Sequence, residues 1–214
     1  ALNAANTTVA YTDGDVNTGF GDLLTDAEQT VFTSVATLGQ RGLLTFGPRF
    51  AFTNILNVGT IGALNYYTAE SSPDSLVAGR VVGQLYYLFG TKTIEAWAQT
   101  GNSDDPFQIQ DGMTQQVGCA CRDGIVRGDN TLFFLDHAFN PRRLGQGASE
   151  IINPDDPWVT ILLKRAGAAN IRGKVYEENA HVFVAWRTPI GEVWYDVLTR
   201  QWHTRGTLNT DTSR

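Results

Sequence analysis

Asp136-His137 is the pair of residues with the most familiar catalytic chemistry in this sequence, because a carboxylate can orient a histidine that acts as a general base. Adjacent residues of a strand point to opposite faces of a sheet, so the two side chains are not expected to meet. The sequence also lacks the Gly-x-Ser-x-Gly turn that would supply a nucleophile. We therefore predict no catalytic residue, and we expect His181 and His203 to be ordinary strand residues.

Two carboxylates and two hydroxyls lie together in Glu70, Ser71, Ser72, Pro73 and Asp74. A glycosidase would need its carboxylates roughly 5–10 Å apart across a sugar cleft, and the sequence does not place them so. Pro73 cannot donate to a β-ladder, so this segment is predicted to be a loop. Side chains of these types commonly hydrogen-bond the nearby backbone, which is the role we predict for them.

Residues 13–17, Asp-Gly-Asp-Val-Asn, resemble the start of a calcium-binding loop, in which alternate oxygen ligands face the cation. The sixth position of that loop would be Thr18 instead of Gly, and the twelfth would be Leu24 instead of Glu. A turn rich in Asp and Gly is the preferred interpretation, with a calcium site as the alternative.

Cys119 and Cys121 are the only cysteines. On a strand they would share one face about 6–7 Å apart, which is too far for an unstrained disulfide. Two thiolates also fall short of the four ligands that zinc takes. We predict buried reduced thiols, and no metal or cofactor for the chain.

The chain has a net charge of −6 over 214 residues. A dedicated nucleic-acid binder normally presents a basic stripe to phosphates, and this sequence contains no run of Lys and Arg that would form such a track. Arg142 and Arg143 are the only adjacent arginines. We expect a solvated pair, with contact to a phosphate or to the acidic surface of a neighbouring subunit as the alternatives. The acidity is interpreted as a solvated surface, with an acidic wall past which DNA slides as the alternative.

The sequence gives no sign of a membrane or secretory segment. No apolar run approaches the ~18–20 residues that span a bilayer, and no charged-then-apolar leader is found. The first residue is Ala1 rather than Met, so we expect a trimmed chain or a piece of a longer polypeptide.

The stretch from Ala78 to Trp97 organises the predicted elements. Val, Ile, Tyr, Phe and Trp dominate two apolar runs, which predict a hairpin with strands near Leu85–Phe89 and Thr93–Ala98. Gly90 is assigned to the turn between them, since glycine adopts positive φ without steric cost.

Other strands are predicted wherever short apolar runs lie between turn-forming residues. They are Val31–Val35, Leu43–Phe46, Phe50–Phe52, Phe107–Ile109, Val117–Cys121, Gly124–Arg127, Thr131–Leu135, Ile171–Tyr176, His181–Arg187, Glu192–Asp196 and Gln201–Thr204. Turns are predicted at 39–42, 47–48, 102–106, 128–130 and 188–191. One helix is predicted at Trp158–Ala169, with Asp155 or Asp156 as its cap and Pro157 in its first turn.

The spacing of these elements predicts an all-β, propeller-like fold. Units centred on Phe50, Leu85, Leu132 and Val182 are separated by 35, 47 and 50 residues. Propeller blades repeat at about 40–50 residues, whereas a β-sandwich is the alternative source of short alternating strands. A ring of about six or seven standard blades does not fit in 214 residues, so we expect a small or partial propeller at 31–214 after a polar arm at 1–30.

Five segments, in the same order, resemble the packaged-DNA stabilisation proteins of short-tailed bacteriophages, also called tail hub or nozzle proteins. They are 68–74, 87–97, 118–121, 129–135 and 195–203, within a resemblance from Arg49 to Arg205 that is poor at 1–48 and 146–175. The residues that carry it are assigned structural roles: Glu70, Pro73, Asp74, Gly90, Glu95, Trp97, Gly118, Cys119, Asp129, Asn130, Tyr195, Asp196 and Trp202.

The last of these segments is similar to the edge motif of kelch-like blades. That similarity implies that Asp196 and Thr199 close a hairpin and that Trp202 is buried between neighbouring blades. The family resemblance implies members longer than this chain and built on a propeller.

The resemblance also implies a non-enzymatic protein of the virion tail, assembled in the host cytoplasm. It would form a ring of six copies that continues the DNA channel below portal and adaptor proteins. It would also meet a tail needle, fibre or spike, and enclose double-stranded DNA without specific binding or any membrane contact. A propeller-fold carbohydrate-binding module or glycan-active enzyme is the alternative, although the three histidines are dispersed.

Overall fold

The computed structural model describes residues 9–11, 21–23, 32–55, 61, 64–69 and 74–205. Its first two strands, β1 (Val9–Tyr11) and β2 (Gly21–Leu23), pair antiparallel. The calcium-like residues 13–17 and the motif residues Glu70 and Pro73 lie outside the described residues, so those predictions stay untested.

Four antiparallel sheets of four strands follow, and we call them blades I to IV. Blade I contains β3 (Ser34–Leu38), β4 (Arg41–Phe46), β5 (Arg49–Phe52) and β6 (Tyr66–Thr68). Blade II contains β7 (Leu76–Val82), β8 (Leu85–Gly90), β9 (Ile94–Gln99) and β10 (Phe107–Ile109). Blade III contains β11 (Val126–Gly128), β12 (Thr131–Leu135), β13 (Pro141–Arg143) and β14 (Glu150–Ile151). Blade IV contains β15 (Arg172–Glu178), β16 (His181–Thr188), β17 (Gly191–Asp196) and β18 (Gln201–Arg205).

Helical structure lies outside the blades, with α1 (Pro157–Ala166) and two 3₁₀ turns, Arg122–Gly124 and Ala168–Asn170. Pro157 is in the first turn of α1, as predicted, and the helix ends before Gly167, whose φ is 79°. Asp156 is at the cap position, but its carboxylate accepts from Trp158 Nε1 at 2.9 Å instead of from a backbone N–H.

Every blade is a meander in which each strand pairs with its neighbours in the chain, as in a propeller. The four predicted units are confirmed, because Phe50, Leu85, Leu132 and Val182 each lie in a different blade. The all-β, propeller-like fold is therefore confirmed.

The chain divides into two compact units, which are described separately. Unit 1 comprises residues 1–122 with 146–148 and contains blades I and II; unit 2 comprises 123–145 with 149–214 and contains blades III and IV. The predicted division at residue 30 falls outside the described residues and stays a prediction.

Aromatic side chains form the core of unit 1. The ring of Phe50 lies 5.2 Å from that of Trp97, 5.4 Å from Tyr86 and 5.8 Å from Phe107. Phe50 is fully buried, which contributes about 1.5–3 kcal/mol for such a side chain. The first strands of the two blades are adjacent, since the backbone N–H of Gly79 donates to Ser34 Oγ at 2.7 Å.

Blades III and IV meet in the core of unit 2. The indole Nε1 of the fully buried Trp186 donates to the carbonyl of Gly124 at 2.8 Å. A Cβ on Gly173 would lie 2.4 Å from Val126 Cγ1, so β11 and β15 approach closely only because this residue is glycine.

Two predicted strands need correction. Residues 117–121 form no strand: the backbone of Gly118 passes so close to the β8–β9 turn that a Cβ would lie 1.9 Å from the Thr91 carbonyl oxygen. The strand predicted at Val31–Val35 lies three residues later, because the chain turns at Gly39 and Gln40 and β3 pairs with β4 across that turn.

Candidate functional site

The carboxylate of Asp74 packs against Gly90 at the end of β8. The Oδ2 atom of Asp74 accepts from the backbone N–H of Lys92 at 2.6 Å and of Thr93 at 3.1 Å. A Cβ at position 90 would lie 2.4 Å from that oxygen. Gly90 closes β8 without a positive φ, so our reason for glycine there was wrong: the carboxylate needs the space that a side chain would fill.

Gly118 and Cys119 contact the turn between β8 and β9 from a later segment of the chain. The N–H of Cys119 donates to the carbonyl of Gly90 at 2.9 Å, and Gly118 packs against Thr91 as described above. Cys119 and Cys121 are buried free thiols, as predicted. This group of motif residues therefore fixes a loop conformation.

Glu95 and Trp97 lie two residues apart on one face of β9. Trp97 Nε1 donates to the carboxylate of Glu95 at 3.0 Å, and the carboxylate is 1% exposed. The indole also joins the unit 1 core beside Phe50. The pair thus satisfies a buried polar group while adding apolar contact.

Asp129 and Asn130 form the tight turn between β11 and β12, as predicted. Their φ angles are 48° and 53°, the left-handed values that Asn and Asp tolerate best after glycine. Asp129 also accepts from Arg143 Nη2 at 2.5 Å.

The Asp196 turn closes β17 and β18 as the kelch-like motif implies. Asp196 accepts from Thr199 Oγ1 at 2.8 Å and from the N–H of Leu198 at 3.0 Å. His181 Nδ1 lies 2.7 Å from the same carboxylate, so our description of His181 as an isolated strand residue was wrong. Burial would raise the pKa of Asp196, but the hydrogen bonds from Thr199, His181 and Leu198 outweigh it and hold that pKa below its ordinary value.

Trp202 makes the contacts expected of the blade-edge tryptophan, but it is half-buried rather than buried. Its indole Nε1 donates to the carbonyl of Ile152, next to blade III, at 2.9 Å. Its ring lies 5.0 Å from Tyr195 and 5.9 Å from Trp186. The residue links two blades within unit 2.

Asp136 is a buried carboxylate held by donors that follow it closely in the chain. It is 2% exposed and accepts from Arg142 Nε at 2.8 Å and from the N–H groups of Ala138 and Asn140, both at 2.9 Å, whereas His137 is exposed. Burial would raise its pKa, but these donors together hold the pKa below its ordinary value.

The expectation that Arg142 and Arg143 form a solvated pair was wrong. Arg142 is bound to Asp136 and is 19% exposed, and Arg143 is bound to Asp129 with its guanidinium 5.9 Å from the centre of the Phe133 ring. Sequence reasoning missed both ion pairs because each joins residues that only the sheet brings together.

No group of three or more His, Cys, Asp or Glu in the described part of the chain could hold a metal ion. No helix among the described residues is long and apolar enough to cross a membrane. A cleft of about 360 Å³ in unit 1 is lined by Gly39, Gln40, Arg41, Ile55, Gln99, Gly101, Asn102, Ser103 and Pro106. Within this cleft, the guanidinium of Arg41 already donates a hydrogen bond to the carbonyl of Thr53 at 2.8 Å.

A family model described as bacteriophage P22 Gp10, β-propeller, matches residues 1–143. The match includes residues 1–48, where the resemblance of individual motifs is poor, and it ends before the motif at 195–203. No curated protein matches the sequence.

Solved structures similar to this chain share its fold at low identity. The extracellular domain of BT4673 from B. thetaiotaomicron has a TM-score of 0.56 at 12% identity, covering 95% of this chain and 26% of that one. The computationally designed Ika8 protein has a TM-score of 0.55 at 15% identity, covering 94% and 57%. The WD40 domain of SCAP from fission yeast has a TM-score of 0.50 at 12% identity, covering 97% and 51%. The chain thus spans about a quarter of the BT4673 domain and about half of each of the other two proteins.

Proposed function

The chain belongs to the bacteriophage P22 Gp10 β-propeller family, and from that premise we propose that it is a component of the tail hub, or nozzle, of a short-tailed phage. In this role it continues the DNA channel below the portal and adaptor proteins and retains the packaged genome. The match of two thirds of the chain to this family is the observation that carries the proposal.

The arrangement of the motif residues supports a structural role. Asp74, Gly90, Glu95 and Asp196 each bond or pack against nearby backbone and side chains of their own unit, and each is buried or sits in a strand. We propose that the chain acts as a virion scaffold without catalysis.

A channel component has to encircle DNA, so we propose a closed ring, with six copies as the family resemblance implies. Its partners would be the portal and adaptor on one side, and a tail needle, fibre or spike on the other. The polar residues 1–30, which include the β1–β2 pair, would reach a neighbouring copy.

The test uses phage particles assembled in host cells with this gene deleted and supplied from a plasmid. We expect heads that package DNA but lose it without the chain, and DNA-filled tailed particles with it. Cryo-electron microscopy of the tails should show a ring below the portal. Particles that retain DNA without the chain, or one copy per tail, would overturn the proposal.

The alternative is a carbohydrate-binding module that uses the cleft of unit 1. Its lining contains polar groups from Gln99, Asn102 and Ser103. Binding of the purified chain to host glycans, abolished by Gln99→Ala, would favour that function over the scaffold.

A further inference from the structure

The two faces of blade IV differ in chemistry. One face packs on blade III through Trp186 and Trp202. The opposite face carries charged residues that are exposed: the side chains of Arg172, Lys174 and Arg187 are 59%, 46% and 72% exposed. This second face is therefore accessible.

Strand register aligns the basic residues into two rows across this face. The first row consists of Arg172, Arg187 and Glu192, each directly opposite the next. The second row consists of Lys174, Ala185, Trp194 and His203. Strands about 4.8 Å apart and rows two residues apart make a patch roughly 14 Å by 7 Å. We call these seven residues the basic face.

The basic face has more positive charge than its own carboxylates balance. Glu192 accepts from Lys174 Nζ at 3.2 Å and lies 3.5 Å from Arg187 Nε, and Asp123 lies 3.3 Å from Arg172. Arg172 and Arg187 are nevertheless directly opposite each other, an arrangement that destabilises a pair of strands. An anion seated between them would offset that repulsion.

The chemistry of the face favours a phosphate backbone over a protein partner. Trp194, the aromatic side chain of the basic face, is 7% exposed beneath the Lys174 ammonium, which lies 4.8 Å from its ring, and the exposed Tyr176 lies only in the next row. The basic face itself therefore offers no exposed aromatic anchor of the kind that protein interfaces use. Arginine forks on a flat surface instead suit phosphate oxygens.

We infer that the basic face is a sequence-independent contact site for the phosphates of double-stranded DNA. The inference rests on the proposed function for the identity of the anion, and it places an attractive contact on a chain whose net charge is −6. The carboxylates Asp196 and Glu178 lie beyond the second row on the same sheet, so the attraction is local.

The test is a fluorescence-anisotropy titration of a labelled duplex with the purified full chain at several salt concentrations. Three phosphate contacts predict a slope of log K against log salt of about −2.7. Arg172→Gln with Arg187→Gln should reduce that slope by about 2, since each phosphate contact contributes about 1. The matched control, Lys164→Gln with Arg165→Gln on the exposed last turn of α1, removes the same charge and should leave the slope unchanged.

Glu192→Gln is a second variant that tests the inference in the opposite direction. It removes the carboxylate between the cations while keeping an acceptor for Trp194 Nε1, so DNA binding should tighten severalfold. Equal slopes for the two double variants, or no gain from Glu192→Gln, would overturn the inference. So would an oligomer that dissociates in sedimentation only when Arg172 and Arg187 are replaced, because the face would then join copies of the chain. The phage-particle experiment judges the nozzle function separately.

Discussion

Replacing Trp202 with alanine tests the link between blades III and IV. The change removes the stacking of the indole on Tyr195 and Trp186 and the hydrogen bond from Nε1 to the Ile152 carbonyl. It leaves the β17–β18 pairing and the Asp196 turn in place, so the effect reports on packing between blades.

The magnitude follows from the half-buried position of the ring. Burial of about 150 Å² at about 25 cal/mol per Å² contributes roughly 4 kcal/mol as an upper bound. Loss of the hydrogen bond adds about 1 kcal/mol to the destabilisation. Relaxation of neighbouring side chains at the exposed edge of the ring reduces the total. We expect Trp202→Ala to lower the free energy of unfolding by about 3 kcal/mol, the lower end of the range for a fully buried tryptophan.

Urea denaturation followed by circular dichroism measures the change. The slope of free energy against urea should stay constant while the midpoint falls, which marks a loss of stability without a change in the surface exposed. For a chain of this length, about 3 kcal/mol corresponds to a melting temperature roughly 6–12 °C lower.

A second variant separates the ring contacts of Trp202 from its hydrogen bond, and a third serves as a control. Trp202→Phe keeps the ring contacts but loses the N–H donor, and should cost about 1–2 kcal/mol. Leu198→Ala changes a side chain that is 66% exposed in the same hairpin, and should stay within about 0.5 kcal/mol of the wild type. A Trp202→Ala protein as stable as the Leu198→Ala control would refute the proposed contact between blades.

Other variants test the turn structures. Gly90→Ala should cost about 1–3 kcal/mol because its Cβ meets the Asp74 carboxylate, and in an Asp74→Ala background most of that cost should disappear from the denaturation curve. Asn130→Ala should cost about 1–2 kcal/mol in the same assay, since its φ of 53° disfavours alanine. Asp136→Asn should cost about 1.5–3 kcal/mol at pH 7 by weakening the bond from Arg142. Because the folded-state pKa of Asp136 is lowered, its contribution is complete above the unfolded value of about 3.9 and is lost as pH falls below it, so the two stability curves should converge in acid.

The sequence determined the elements whose causes are local. Alternating β-branched and aromatic residues predicted the hairpin at β8 and β9, and the strands of blade IV lie close to their predicted bounds. The 128–130 turn and the start of α1 at Pro157 were also predictable, because positive φ at Asn and the fixed φ of proline are properties of single residues. The spacing of the units was enough to predict blades.

Tertiary structure decided every feature that depends on which strands lie side by side. Gly90 is needed because Asp74, sixteen residues earlier, occupies the space beside it. His181 meets Asp196, and Arg172 meets Arg187, only through the register of blade IV. Residues 117–121 have strand composition, yet they form no strand because Gly118 is pressed against the neighbouring turn. A sequence records the propensity of each residue, whereas pairing across a sheet brings together residues from separate strands. The basic face therefore forms only when the strands of blade IV pair.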